Sequence, residues 1–237
     1  MKILALETSA KAVSAAVVED GVPLASAYQN LGLTHSVTLM PLVDTMLKNA
    51  GLQLQDIGCV AVAHGPGSFT GLRIGVSAAK GLAWTLDVPC CGVSTLEGMA
   101  QNAAMFNGLI ICAMDARRSQ IYHALFSCKN GVITRVSSDR AIGLDELCKE
   151  LQPQTDDKMV VGDGASLCHT YLTEHGIDCR LAPPESVMQN AVGVGLVACR
   201  MAAKGETISP RDLVPIYLRL SQAERERLAK GLKITVD

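Results

Sequence analysis

The segment from Gly65 to Gly75, GPGSFTGLRIG, has residue types and a spacing that could bind a phosphate group. Backbone N–H groups at the start of a helix attract anions, and glycine lets a ligand approach the backbone closely. The same glycines could instead satisfy turn geometry and let the helix pack tightly on a neighbour. The spacing matches neither the P-loop, which ends in Gly-Lys-Ser/Thr, nor the dinucleotide fingerprint. Periodicity therefore favours the packing interpretation.

Other side chains with reactive chemistry form no recognisable catalytic set. The histidines show no i,i+4 pair and no HExxH motif, and there is no Gly-x-Ser-x-Gly elbow; they are His35, His64, His123, His169 and His175. The nine cysteines include no CxxC, which is typical of small buried hydrophobes in a reducing compartment rather than of a disulfide frame or zinc site. The sequence therefore predicts neither catalytic residues nor a metal centre.

Composition narrows the class of protein. The chain has 237 residues, of which 49% are hydrophobic and 19% charged, enough for a packed core. Its net charge of −2 lacks the basic excess of a protein that holds nucleic acid by its own field. No apolar run reaches the about 18 residues of a membrane span, and Glu7 comes too early for a signal peptide's apolar core. We expect a cytoplasmic chain without membrane contact.

Two rounds of strand and helix patterns organise the sequence. The first predicts strands at 2–7, 12–18, 22–29, 59–63 and 88–93, with helices at 36–49, 69–86 and 94–105. The second predicts strands at 109–114, 120–128, 132–137 and 159–161, with helices at 144–151, 165–174 and 190–204. Ser68 and Thr70 are both candidate N-caps for the second helix. Pro41 requires the first helix either to begin near it or to kink there.

This repetition predicts a duplicated α/β unit. We expect a first lobe at 1–106 and a reduced second lobe at 107–211, whose last helix could pack back on the first lobe. A tail at 212–237 follows, with a short basic helix opened by the capping box Ser221-Gln-Ala-Glu224. From Arg219 to Lys233 five basic residues stand against two acids. Such a pattern could touch RNA, but it is more often a solvated helix face.

The helix at 69–86 carries only two charges, Arg73 and Lys80. A helix that is apolar around most of its circumference must be buried, in the core or against a partner. Together with the helix at 36–49, whose methionines can adapt to a partner, we expect it to form the interface for a partner protein. In isolation we expect the chain to homodimerise through the same surface. The predicted interface residues are Met40, Val43, Met46, Leu47, Gly71, Gly75, Ala78, Ala79 and Leu82.

The duplicated order, with Glu7-Thr8-Ser9 after the first strand, resembles the two-lobed actin-like ATPase, sugar kinase and Hsp70 superfamily, whose fold is ribonuclease H-like. In that superfamily two turns, one in each lobe, face a nucleotide. The resemblance implies two vestigial nucleotide turns in this chain, one made by Glu7, Thr8 and Ser9 and the other by Gly162, Asp163 and Gly164. An ATP-dependent enzyme of the sugar-kinase type is therefore one alternative function.

A more specific set of motifs spans nearly the whole chain. It comprises Leu4-Ala-Leu-Glu-Thr-Ser9, His35-Ser36 with Leu39 and Pro41, Gly65 to Gly75, Ala79-Lys-Gly-Leu-Ala83, Asp115-Ala-Arg-Arg118 with Tyr122, and Pro215-Ile-Tyr-Leu-Arg219. In this order they resemble the TsaB family, formerly YeaZ. The resemblance implies a non-catalytic dimerisation subunit of the complex that transfers threonylcarbamoyl to the adenosine beside the tRNA anticodon.

The same resemblance implies partners. They are a catalytic paralogue, TsaD, and a small ATPase, TsaE, with tRNA contacted indirectly or through the tail. No cofactor is expected to bind this chain tightly, and ATP or ADP would bind only in the assembled complex.

The catalytic paralogue holds its metal on a helix that reads His-His-x-Glu-Gly-His, and the matching segment here is Ser94-Thr-Leu-Glu-Gly-Met99. Thr95 and Met99 occupy the ligand positions, and neither suits iron or zinc. The resemblance therefore implies no catalysis by that route, with Glu97 a hydrogen-bonding relic. A vestigial glycoprotease, the family's older label, is the remaining alternative.

Overall fold

The computed structural model describes residues 1–117 and 120–219, which form two α/β lobes, each on one mixed sheet. The first contains β1 (Lys2–Glu7), β2 (Val13–Glu19), β3 (Val22–Gln29), α1 (His35–Asn49), β4 (Cys59–Gly65), α2 (Phe69–Leu86), β5 (Cys90–Ser94) and α3 (Thr95–Ala100). The second contains β6 (Gly108–Asp115), β7 (Gln120–Lys129), β8 (Val132–Arg135), β9 (Arg140–Gly143), α4 (Leu144–Leu151), β10 (Lys158–Val161), α5 (Ala165–Glu174) and β11 (Arg180–Leu181), and α6 (Ala191–Ala203) follows.

The two sheets repeat one topology. The first has the order β3-β2-β1-β4-β5, and the second β8-β7-β6-β10-β11 with β9 also paired to β7. In each, three strands form an antiparallel meander and two further strands join in parallel. The predicted duplication of an α/β unit is confirmed.

The central strands of the first sheet are buried on both faces because helices cover both. On one face α1 and α2 pack Leu39, Val43 and Ala79 against strand residues such as Val62. On the other face lies α6, which follows the second lobe in sequence. Gly195 permits its close approach, because a Cβ there would lie 2.4 Å from the side chain of Val18.

Helix α3 connects the lobes through packing. Leu96 and Met99 lie against Ile110 and Phe126 of the second sheet. The opposite face of that sheet is covered by α4 and α5. Helix α3 of the first lobe therefore forms part of the core of the second lobe.

A segment at 210–219, which we call the strap, runs along α2. Lys80 Nζ donates hydrogen bonds to the carbonyls of Arg211 and Leu213, and the Ile216 N–H donates to His64 O at 2.7 Å. Arg219 then donates to the carbonyl of Ala116 in the second lobe. The strap thus runs from one lobe to the other.

Several boundaries differ from the sequence predictions. α1 begins at His35, well before Pro41, and the helix predicted at 94–105 ends at Ala100 before a 3₁₀ turn. The short strands β9 and β11 were not predicted. Arg118 and the predicted basic helix beyond residue 219 lie outside the described residues. Among the described helices, none has the length and apolar content needed to span a bilayer.

Candidate functional site

A cleft of about 560 Å³ lies between the lobes. The β1–β2 turn and the start of α2 form its wall in the first lobe, the end of β6 forms its wall in the second, and the strap closes one side. Ser9 and Asp163, one from each predicted nucleotide turn, both line it. The fold therefore brings the two predicted turns to one cavity.

The first of these turns is almost inaccessible. Glu7, Thr8 and Ser9 are each no more than 1% exposed. The Thr8 hydroxyl donates to Gly71 O at 2.8 Å, and the Ser9 N–H donates to Glu7 Oε1 at 2.6 Å. Burial raises the pKa of Glu7 to about 7, hydrogen bonds from Ser9 lower it in part, and the nearby Asp163 carboxylate raises it further.

The glycines of α2 face this turn directly. A Cβ at Gly71 would lie 2.1 Å from Thr8 O, and one at Gly75 would lie 2.3 Å from Thr8 Oγ1. Of the two candidate caps, Ser68 is the N-cap, and its Oγ accepts the Gly71 N–H at 3.3 Å. These glycines are required by internal packing, which is the interpretation that the periodicity favoured.

The second turn packs against β6 in the same manner. Gly162 has a φ of +116°, and a Cβ there would lie 2.1 Å from Ala113 O. Between the glycines, the Asp163 side chain points into the cleft region, where Gln189 Nε2 donates to its Oδ1 at 2.8 Å. Burial raises the pKa of Asp163, and the Gln189 hydrogen bond opposes that rise.

The positions matching metal ligands in the resemblance are part of the core. Thr95 and Met99 are both fully buried, and the Met99 methyl group lies close to Gly162. Within residues 1–117 and 120–219, no three His, Cys, Asp or Glu side chains are grouped to hold a metal ion. Neither a buried threonine hydroxyl nor a thioether packed in the core is a good ligand for zinc or iron.

Glu97 has a structural partner. Its carboxylate pairs with Arg135 at 2.9 Å, Arg135 also pairs with Asp139, and Asp139 accepts from the Ser94 hydroxyl at 2.6 Å. Since Ser94 is the N-cap of α3, this network fixes the start of that helix against the second lobe. The predicted hydrogen-bonding role of Glu97 is seen here as an ion pair.

The predicted partner interface requires a correction. Six of its nine residues lie in the core of the first lobe, because α1 and α2 turn these positions toward their own sheet and the β1–β2 turn: Val43, Met46, Leu47, Gly71, Gly75 and Ala79. Helical periodicity shows that a face must be covered but does not show which neighbour covers it. The remaining three residues, Met40, Ala78 and Leu82, are at least partly exposed.

Sequence reasoning missed the most exposed aromatic residue of these helices. Trp84 of α2 is 70% exposed, and Met40 of α1 is 41% exposed. The signal available in the sequence was that Trp84 is the single tryptophan of the chain and stands in a charge-poor helix. Trp84 lies about 160° around the helix axis from Leu82, so it belongs to a different side of α2. We call the exposed or partly exposed residues Met40, Ala78 and Leu82 the α1–α2 face.

The duplicated sheets and the two turns that meet at the interlobe cleft define a protein of the actin-like ATPase, sugar kinase and Hsp70 fold class. Component A of (R)-2-hydroxyglutaryl-CoA dehydratase from Acidaminococcus fermentans shares this fold, with a TM-score of 0.51 at 14% identity over 86% of this chain and 99% of that one. YeaZ from Pseudomonas aeruginosa is much closer, with a TM-score of 0.77 at 27% identity over 92% of this chain and 99% of that one.

Sequence comparison agrees. Residues 30–225 match the family model described as TsaD, tRNA N6-adenosine threonylcarbamoyltransferase. The tRNA threonylcarbamoyladenosine biosynthesis protein TsaB of Bacillus subtilis is 35% identical over 224 residues, covering 94% of this chain and 96% of the relative. The chain belongs to the TsaB family, within the wider family that the TsaD model describes.

Proposed function

We propose that this chain is a non-catalytic subunit of the machinery that makes threonylcarbamoyladenosine in tRNA, and that it activates a TsaD-type catalytic paralogue by binding it. The observation that carries the proposal is a match to TsaB over almost the whole chain, combined with Thr95 and Met99 at the positions of the metal ligands. The chain retains the fold of an acyl-transferring relative without the donors of its metal centre. We assign it to a complex that also contains a TsaE-type ATPase.

The proposed docking site is the α1–α2 face. It offers apolar side chains on two helices that pack together, and Met40 is the most accessible of them. Methionine is enriched at the centres of protein interfaces. In isolation the same face would be covered by a second copy, giving a homodimer.

A matched pair of variants tests this site. Met40→Glu together with Ala78→Glu places two carboxylates on the face, whereas Val132→Glu together with Leu167→Glu places two on exposed apolar positions of β8 and α5 in the second lobe. We expect the first variant to lose at least tenfold in affinity for the catalytic paralogue and in threonylcarbamoyladenosine formation, and the control to retain both. Undiminished co-purification of the first variant would contradict the assignment.

Gly75 is unsuitable for this test. A Glu side chain at that position would be driven into the Thr8 hydroxyl, so it would report on folding rather than on partner binding.

The alternative, an ATP-dependent enzyme of the sugar-kinase type, is favoured by one observation: Ser9 and Asp163 face the same cleft. We propose instead that nucleotide binds only in the assembled complex, because the turn glycines are occupied by internal packing against Thr8 and Ala113. Calorimetry with ATP and Mg²⁺ separates the two. Micromolar binding to the isolated chain would support the kinase alternative.

A further inference from the structure

Four cationic side chains gather at the mouth of the interlobe cleft. Lys11 lies on the β1–β2 turn, Arg117 at the end of β6, and Arg219 on the strap, and all three line the cleft. Arg73 of α2 adjoins them through its contacts with Phe69. Among the described residues none of these four cations lies within ion-pair distance of a carboxylate, in contrast with Arg135 and Arg140, which are both paired.

An aromatic pair stands within this group. The rings of Phe69 and Tyr217 stack with centroids 4.6 Å apart, and both residues line the cleft. The Arg73 guanidinium lies 4.0 Å from the Phe69 ring centroid, and its Nε donates to the Tyr217 hydroxyl at 3.1 Å. Since these contacts order the side chains in advance, a ligand would lose less side-chain entropy on binding them.

Two carboxylates also line the cleft, and both are engaged. Asp163 accepts the Gln189 side-chain amide, and Asp115 accepts the backbone N–H of Arg117 at 2.7 Å. Three cations therefore line the cleft against two acids, and Arg73 adjoins them, although the whole chain has a net charge of −2. The positive charge is local to the cleft mouth.

We propose that this surface, the cleft-mouth patch of Lys11, Phe69, Arg73, Arg117, Tyr217 and Arg219, binds the backbone and an unstacked base of an RNA loop. Unpaired cations that follow a groove bind phosphates, and an ordered aromatic ring stacks on a base whatever its sequence. The patch draws on both lobes and the strap, so a bound RNA strand would bridge the two lobes. The inference rests on the proposed function, because the RNA that a subunit of a tRNA-modifying complex would meet is tRNA.

The test uses the full-length chain, alone and together with the catalytic paralogue, and an unmodified tRNA transcript as the probe. The test variant is Lys11→Glu with Arg117→Glu. The matched control is Lys129→Glu with Lys149→Glu, which changes the net charge equally at exposed positions away from the cleft. Affinity is measured by filter binding at a series of salt concentrations.

We expect the test variant to bind tRNA at least about tenfold more weakly, and the control to stay within about twofold of the unmodified chain. Because each phosphate contact on single-stranded nucleic acid contributes about 0.7 to the slope of log K against log salt, loss of two contacts should reduce that slope by about 1.4. A reduced slope identifies the loss of phosphate contacts. Retained binding to the catalytic paralogue shows that the variant is still folded.

Several results would overturn the inference. They are equal tRNA binding by the test variant and the control, no tRNA binding by the unmodified chain in either form at low salt, and loss of paralogue binding by the test variant, which would make the patch a protein interface. The proposed function is judged separately. It fails if the unmodified chain does not co-purify with the catalytic paralogue.

Discussion

Substitution by alanine should change the free energy of unfolding in opposite directions at two glycines of α2. Gly75 is buried against the Thr8 side chain, whereas Gly81 lies six residues later on the exposed side with no atom within 4 Å of a Cβ position. Alanine is favoured over glycine by about 1 kcal/mol in a helix interior. Gly81→Ala should therefore raise the free energy of unfolding by about that amount.

At Gly75 the same gain in helix stability is outweighed by the cost of overpacking. The new Cβ would lie 2.3 Å from Thr8 Oγ1 and 3.2 Å from a Val62 methyl group, so Thr8 must move, and its hydrogen bond to Gly71 O is strained or lost. Overpacking costs about 1–3 kcal/mol and a lost hydrogen bond about 1 kcal/mol. After subtraction of the helix gain, we expect a net loss of about 1–3 kcal/mol.

Urea unfolding followed by circular dichroism measures both variants against the unmodified chain. The two alanine variants should differ by about 2–4 kcal/mol in opposite directions from the parent. Equal midpoints for Gly75→Ala and Gly81→Ala would refute the conclusion that the glycine-rich segment exists to receive the β1–β2 turn.

Three further predictions follow from buried or bridging groups. Burial raises the pKa of Glu7 from 4.5 to about 7, so the folded state favours the protonated form. The stability that this form contributes at acid pH is therefore lost as the pH rises from about 4.5 to 7. Glu7→Gln should remove up to about 3 kcal/mol of this decline, and an unchanged pH profile of the free energy of unfolding would contradict the burial argument. Lys80→Met should release the strap carbonyls of Arg211 and Leu213, so trypsin should cut after Arg211 severalfold faster than in the parent, and equal rates would show that Lys80 does not hold the strap. Eight of the nine cysteines are buried and Cys199 is partly exposed, so Ellman's reagent should titrate one thiol rapidly in the native chain and nine after denaturation; several fast native thiols would contradict the packing.

Local periodicity predicted most elements of the fold well. The predicted helices at 69–86 and 144–151 coincide with α2 and α4, and the strands at 2–7 and 22–29 coincide with β1 and β3. These segments are long or end at strong turn signals. β11 has only two residues, too few to show a period, and β9 has Ile142 as its single large apolar residue, so only pairing with neighbouring strands defines them.

The candidate site was less predictable, and the α2 helix shows why. Its sequence correctly indicated a face that must be covered, but the cover at Gly71 and Gly75 is Thr8, more than sixty residues earlier in the chain. Arg73 and Lys80 mark the side of α2 that also carries Trp84, but the strap that lies along this side comes from residues 210–219 and could not be read from the helix. Similarly, the aromatic pair of Phe69 and Tyr217 joins residues 148 positions apart.

The sequence by itself determined the duplicated α/β order, the family resemblance and the replacement of metal ligands by Thr95 and Met99, since these depend on residue identity and short-range spacing. Only the tertiary structure decided which apolar faces are internal, that α6 returns to the first sheet, and that the strap brings Tyr217 and Arg219 to the interlobe cleft. The physical reason is that burial and charge clustering arise from contacts between distant segments, which local patterns permit but do not specify.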